Sequence, residues 1–187
     1  MKEIEEIIYH QHDVICSQEY GNGLPYSFHL DCVRVQGTKF LHLIKGVCEN
    51  KDNYKSVDIH YKKIVEIAMI CHDSIEDARL TYNDILKTVN TYLGNYKASE
   101  MVADIVYCVT DEKGKNRSER KNEKYYKELS ENKLAVFVKL ADLSANTIYS
   151  KLTGSSMYEK YKSEFPKFKE KVYIDEYKEF FDYVENL

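Results

Sequence analysis

Apolar residues recur along this chain three and four positions apart, with polar residues between them. Ile4, Ile7, Ile8 and Ile15 keep that spacing and predict an amphipathic helix over residues 2–18. Tyr20-Gly21-Asn22-Gly23-Leu24-Pro25 predicts a turn. A second helix is expected from Ser27 to about Val47, with Phe28, Cys32, Val35, Phe40, Leu43, Ile44 and Val47 on its apolar face. Residues 48–56 are polar and read as a loop. A third helix, from about residue 57, carries an apolar run into His72-Asp73.

Thr81-Tyr82-Asn83-Asp84 has the form of a capping box, with Thr81 as cap and Asp84 reaching back. The helix it opens carries Ile85, Leu86 and Val89 and is expected to stop near Gly94. Met101, Val102, Ile105, Val106 and Val109 mark another helix, and residues 111–121 form a charged stretch after it. A helix from 133 to about 150 holds Leu134, Phe137, Val138 and Ala141. Ser156-Met157-Tyr158-Glu159 reads as a second capping box, opening a helix that Pro166 is placed to bend. A last helix is expected from about 174 to the end. The pattern predicts an all-α fold: one helical bundle over residues 1–187, without repeats or linkers.

Composition narrows this picture. Two Pro and seven Gly supply few turns for an all-β fold. The 27 Lys and Arg against 31 Asp and Glu leave a net charge of −4, which disfavours a nucleic-acid partner. Five Cys at 16, 32, 48, 71 and 108 form no Cys-x-x-Cys pair, and reduced thiols in the cytoplasm are expected. The acidic first residues do not read as a secretory leader, and no apolar run approaches the ~20 residues of a membrane span. No membrane partner is expected, and the oligomeric state stays open.

The candidate chemistry centres on His72-Asp73-Ser74-Ile75-Glu76-Asp77. On a helix His72 would sit above Glu76 and Asp73 above Asp77, spreading the four over roughly 140° of one surface. Such a group can hold a divalent cation and keep a carboxylate for proton transfer. His29, just inside the second helix, and Asp142, in the middle of a helix that otherwise reads as core, are further donors. A carboxylate at such a place is costly unless paired or bound to a metal. His29, His72, Asp73 and Asp142 make a mixed nitrogen and oxygen set, suited to Mn²⁺, Fe²⁺, Co²⁺ or Zn²⁺.

Taken in order, His29, His72-Asp73 and Asp142 resemble the HD-domain metal-dependent phosphohydrolases, an all-α superfamily. Gly23-x-Pro25-Tyr26-x-x-His29, His72-Asp73-x-x-Glu76-Asp77 with Thr81, Val109-Thr110 and Lys139-Leu140-Ala141-Asp142-x-x-x-Asn146 are similar to one branch. That branch is the (p)ppGpp hydrolase domain of RelA/SpoT-type alarmone enzymes and their small stand-alone relatives. The resemblance covers residues from about 23 to 150, with C-terminal helices over 155–187 outside it. It implies His29, His72, Asp73 and Asp142 as metal ligands, Mn²⁺ as the metal and Glu76 and Asp77 as the pair that activates water. It also implies Asn146 as a residue lining the site. The implied reaction is hydrolysis of a pyrophosphate ester at a nucleotide 3′ position. A 5′-nucleotidase or phosphodiesterase of the same superfamily is the alternative, and a metal- or nucleotide-binding regulator without turnover is another. Three features depart from the branch: Leu143 where an Arg is common, no basic residue in Glu19-Tyr20-Gly21-Asn22, and a longer span from His29 to His72. All bear on substrate recognition and leave the metal donors intact.

Substrate contacts are expected from Lys139 and from the basic cluster at 113–121, where Arg117 and Arg120 stand one helical turn apart and could share a phosphate. The bland reading of that cluster is a solvated loop. Lys139 could equally pair with an acid. Tyr26 is placed to line the pocket and stack on a base, or to pack the turn. His10-Gln11-His12-Asp13 is expected on a surface helix. His42 and His60 read as ordinary helix residues, or extra ligands if two ions bind. Tyr125 and Tyr126 fit core as well as pocket.

Overall fold

The computed structural model describes residues 1–45, 58–111 and 114–187; for residues 58–60, 117 and 118 it describes the backbone alone. The elements in chain order are α1 (Lys2–Tyr9), a π-helical turn (His10–Ile15), β1 (Glu19–Tyr20), β2 (Leu24–Pro25), α2 (Tyr26–Thr38) and a 3₁₀ turn (Leu41–Leu43). Then come α3 (Asp58–Cys71), α4 (Tyr82–Leu93), α5 (Tyr96–Val109), α6 (Arg117–Arg120), α7 (Glu123–Glu131) and α8 (Lys133–Leu152). The chain closes with α9 (Met157–Val172), a 3₁₀ turn (Asp175–Tyr177) and α10 (Lys178–Glu185). The fold is all-α. Its strands are two-residue arms pairing Glu19 with Pro25 and Tyr20 with Leu24.

Helix α8 is the axis of the bundle. It packs against α2, α3, α5, α7, α9 and α10, and it is buried on nearly every side from Leu134 to Ala145. A helix apolar all round is stable only when other helices cover it. Asn132 caps it by accepting from the Ala135 amide at 3.1 Å. The Thr81 capping box is present as expected, with the Asp84 amide on Thr81 Oγ1 at 3.2 Å and the Thr81 amide on Asp84 Oδ2 at 2.9 Å. Gly94 closes α4 in the left-handed region.

Four expectations are corrected. The first helix does not run to 18: after Tyr9 the chain winds as a π-helix, and the Cys16 amide bonds the Gln11 carbonyl, five residues back. The wider turn shifts the phase of the side chains that follow Tyr9. Ile4 and Ile8 are core, Ile7 and Ile15 are exposed, and His12, expected on the surface, is fully buried. The second helix stops at Thr38, and its inward face is His29, Leu30, Val33 and Gly37, while Phe28 and Val35 are exposed. Gly37 lies on that inward face at a close approach: a Cβ there would lie 2.1 Å from Met69 Sδ, 3.0 Å from Met69 Cε and 3.2 Å from the Ala141 Cβ. Glycine lets α2 approach α3 and α8 closely. Val47 lies outside the described residues.

The third correction concerns the His72–Asp77 motif. Helix α3 ends at Cys71, and His72–Asp77 forms a succession of turns. The Ser74 amide bonds the Cys71 carbonyl at 2.9 Å, the Leu80 amide bonds the Ser74 carbonyl at 3.0 Å, and Arg79 takes a φ of +60°. These contacts swing the chain out toward Thr81. One helical bond survives, from the Asp77 amide to the Asp73 carbonyl at 2.8 Å, so Asp73 still stands over Asp77. The fourth concerns Ser156, which lies in the helical region and makes no side-chain cap; the Ser155 hydroxyl accepts from the Met157 amide at 3.3 Å instead. Helix α9 continues through Pro166.

Among the described residues, no helix is long and apolar enough to cross a membrane. Cys16, Cys32, Cys71 and Cys108 are free thiols; Cys48 lies outside the described residues.

Candidate metal centre

Three elements bring the predicted metal ligands to one point. His29 comes from the first turn of α2, His72 and Asp73 from the turns that follow α3, and Asp142 from the middle of α8. Ligand atoms of His29, His72 and Asp73 lie within 4.8 Å of one another, and this group could hold a divalent metal ion. His29 Nε2 stands 3.3 Å from Asp73 Oδ2 and 3.4 Å from Asp142 Oδ1. His72 Nε2 stands 2.9 Å from Asp73 Oδ2 and 3.8 Å from Asp142 Oδ1.

The imidazole of His72 is oriented from behind. Its Nδ1 donates to the Met69 carbonyl at 2.9 Å, which leaves Nε2 facing the acids. Although Asp73 is close, the angle makes no hydrogen bond, and His72 Nε2 is a buried nitrogen without a hydrogen-bond partner. A ring nitrogen held this way, beside a second imidazole and two carboxylates, fits a divalent cation with mixed nitrogen and oxygen donors. The local field favours positive charge as well. Burial depresses the basicity of His72, but Asp73 and Asp142 outweigh it and push its pKa up to about 10. Burial raises Asp73 and Asp142, and the opposing positive groups more than reverse it, His72 and His29 at Asp73 and Lys139 first at Asp142. Both carboxyls sit well below the usual range. A field that stabilises imidazolium also stabilises a divalent ion.

The expected water-activating pair stands beside this group. Asp77 Oδ2 takes the Tyr26 hydroxyl at 2.7 Å, and the same hydroxyl reaches Asp73 Oδ2 at 2.6 Å. The one phenolic proton is shared between the two acids. Burial, and then the Asp73 charge, raise the Asp77 carboxyl above its ordinary value. Glu76 is raised by burial and then by Asp111, and it points to the pocket rim, where Arg120 Nη1 meets Oε1 at 2.7 Å.

These groups line a cavity of about 200 Å³ together with Tyr20, Asp111, Lys121 and Tyr161. Lys139 is buried, and its Nζ pairs with Asp142 Oδ2 at 2.9 Å, which is the acid-pairing alternative. Asn146 donates to Asp142 Oδ1 and accepts from the Tyr20 hydroxyl at 2.8 Å. The side chain of Arg117, and Lys113 altogether, lie outside the described residues. His42 is exposed against Glu179, and the side chain of His60 is outside the described residues. Tyr125 and Tyr126 are core.

His12 was missed. Its ring stacks on Tyr26 at 4.8 Å with a 4° interplanar angle, and its Nδ1 meets Gln18 Oε1 at 2.7 Å. Its His-Asp dipeptide carried a signal, but helical phase hid it. Asp111 was missed too, though it follows an apolar run as Asp142 does; its Oδ1 is buried without a hydrogen-bond partner. No family model, no curated protein and no solved structure matches the chain.

Proposed function

We propose that this chain is a metal-dependent phosphohydrolase of the HD type acting on a phosphorylated nucleotide in the cytoplasm. Mn²⁺ is the proposed cofactor, and removal of the 3′-pyrophosphate of (p)ppGpp the leading reaction. The observation that carries the reading is convergence: His29, His72 and Asp73 form one group of ligand atoms, Asp142 stands within 4 Å of both imidazoles, and Glu76 and Asp77 line the same cavity. A bound divalent ion would lower the pKa of a water and offset charge on a phosphoryl group.

The protein's own residues supply the rest. Glu76, whose carboxyl burial and Asp111 push above its ordinary value, is suited to take a proton from attacking water. Asp77 is held in the same cavity by Tyr26. Arg120 and Lys121 line the mouth and offer positive charge to phosphate oxygens. At about 200 Å³ the cavity is below the ~300–1,000 Å³ of sites that enclose drug-sized ligands. It accommodates phosphoryl groups and leaves the nucleoside at the opening.

The test is a nucleotide panel with added Mn²⁺ and product identification. Pyrophosphate release from ppGpp is expected. Orthophosphate release from nucleoside monophosphates would move the assignment to a nucleotidase. Mn²⁺ binding without any turnover would leave a binding module.

A further inference from the structure

We infer that Tyr26 is a positioning residue for the metal centre, and that the π-helical turn His10–Ile15 exists to hold it. The inference deepens the metal-dependent reading and rests on it. The Tyr26 hydroxyl spans the ligand Asp73, at 2.6 Å, and Asp77, at 2.7 Å. It thereby sets the distance between the ion's carboxylate and the neighbouring acid.

The π-helical turn and the Cys16 that follows it close around this bridge at four points. His12 stacks flat on the Tyr26 ring, and Gln18 pins the imidazole. Asp13 Oδ1 accepts from the Ser27 amide at 2.9 Å, fixing the start of α2 that carries both Tyr26 and His29. Gln11 Nε2 and Cys16 Sγ both donate to the carbonyl of Ala78, the residue after Asp77, at 3.0 and 3.4 Å. An α-helical turn would place these side chains in a different phase, which accounts for a π-helix here. The segment lies before the first motif of the site, yet it grips both ends of the bridge.

Partners that orient a metal ligand are worth about 10- to 100-fold in metal affinity. The experiment titrates the full chain with MnCl₂ and follows free and bound Mn²⁺ by electron paramagnetic resonance. Tyr26→Phe is expected to weaken Mn²⁺ binding about 10- to 100-fold and to alter the line shape of the bound ion. Tyr158→Phe, which removes a phenol bonded to the Leu187 carbonyl, is expected to match wild type in both. Wild-type affinity and line shape in Tyr26→Phe would overturn the inference. Should Tyr26→Phe fail to fold, His12→Ala removes the stack and leaves the hydroxyl; weakened Mn²⁺ binding supports the inference and unchanged binding overturns it. Weakened binding in the variants, with wild type inactive on every nucleotide, would sink the hydrolase reading and leave the bridge standing.

Discussion

Arg120 Nη1 lies 2.7 Å from Glu76 Oε1, joining the charged stretch after α5 to the rim acid of the metal centre. Asp111 Oδ2 stands 3.8 Å from the same guanidinium nitrogen. Arg120 is therefore held over the cavity mouth by the acid proposed as general base, where an incoming phosphate would compete for it.

Arg120→Ala tests that arrangement. Both partners are about a third exposed, so the pair itself contributes no more than about 1 kcal/mol to stability. A charged hydrogen bond to phosphate is worth about 1.5–3 kcal/mol. The expected result is a nearly unchanged melting temperature and a KM for the phosphorylated substrate raised about 10- to 100-fold, read from steady-state kinetics.

Asp73→Ala and Glu76→Gln should separate metal binding from proton transfer. Asp73 faces both imidazoles, so its loss is expected to abolish Mn²⁺ binding and turnover together. Glu76 lies outside the group of ligand atoms, so Glu76→Gln is expected to keep Mn²⁺ and lose about 10²- to 10⁴-fold in kcat. Full activity in Glu76→Gln would remove it from the role of base.

Gly37→Ala probes the close approach of α2 to α3 and α8. The new methyl would meet the buried Met69 side chain and the Ala141 Cβ, and overpacking of this kind costs about 1–3 kcal/mol. Urea unfolding should show a lower midpoint with an unchanged slope. No loss of stability would mean that α2 and α3 separate freely.

His12 gives a pH dependence with a definite sign. Burial lowers its pKa below the ordinary value. The unfolded chain takes up a proton below about pH 6.5 while the native state does not, so stability falls as pH falls toward the native pKa. The slope for one proton is at most about 1.4 kcal/mol per pH unit. His12→Phe keeps an aromatic ring against Tyr26 and removes the titration. Urea unfolding between about pH 7.5 and 5 should show the wild type losing stability relative to the variant. A constant difference across that range would contradict the assignment.

The all-α fold and the positions of most helices were legible in the sequence, because apolar spacing near 3.6 reports which residues a helix must bury. Local caps were legible where one residue's backbone decides them, as at Thr81 and Gly94, and misread at Ser156, whose backbone turned helical. His29, His72, Asp73 and Asp142 were legible as candidate donors because a buried polar side chain beside an apolar run needs a partner or a metal. Their grouping was legible only through the ordered motifs of the resemblance; the geometry itself depends on helix α2 approaching α3 and α8 closely at Gly37. Only the tertiary structure turned His12 under Tyr26, ended α3 before His72 and placed Arg120 on Glu76. Periodicity fixes which residues share a face; the phase between one helix and the next is set by long-range packing and by the pairing of buried polar groups, and no local pattern encodes it.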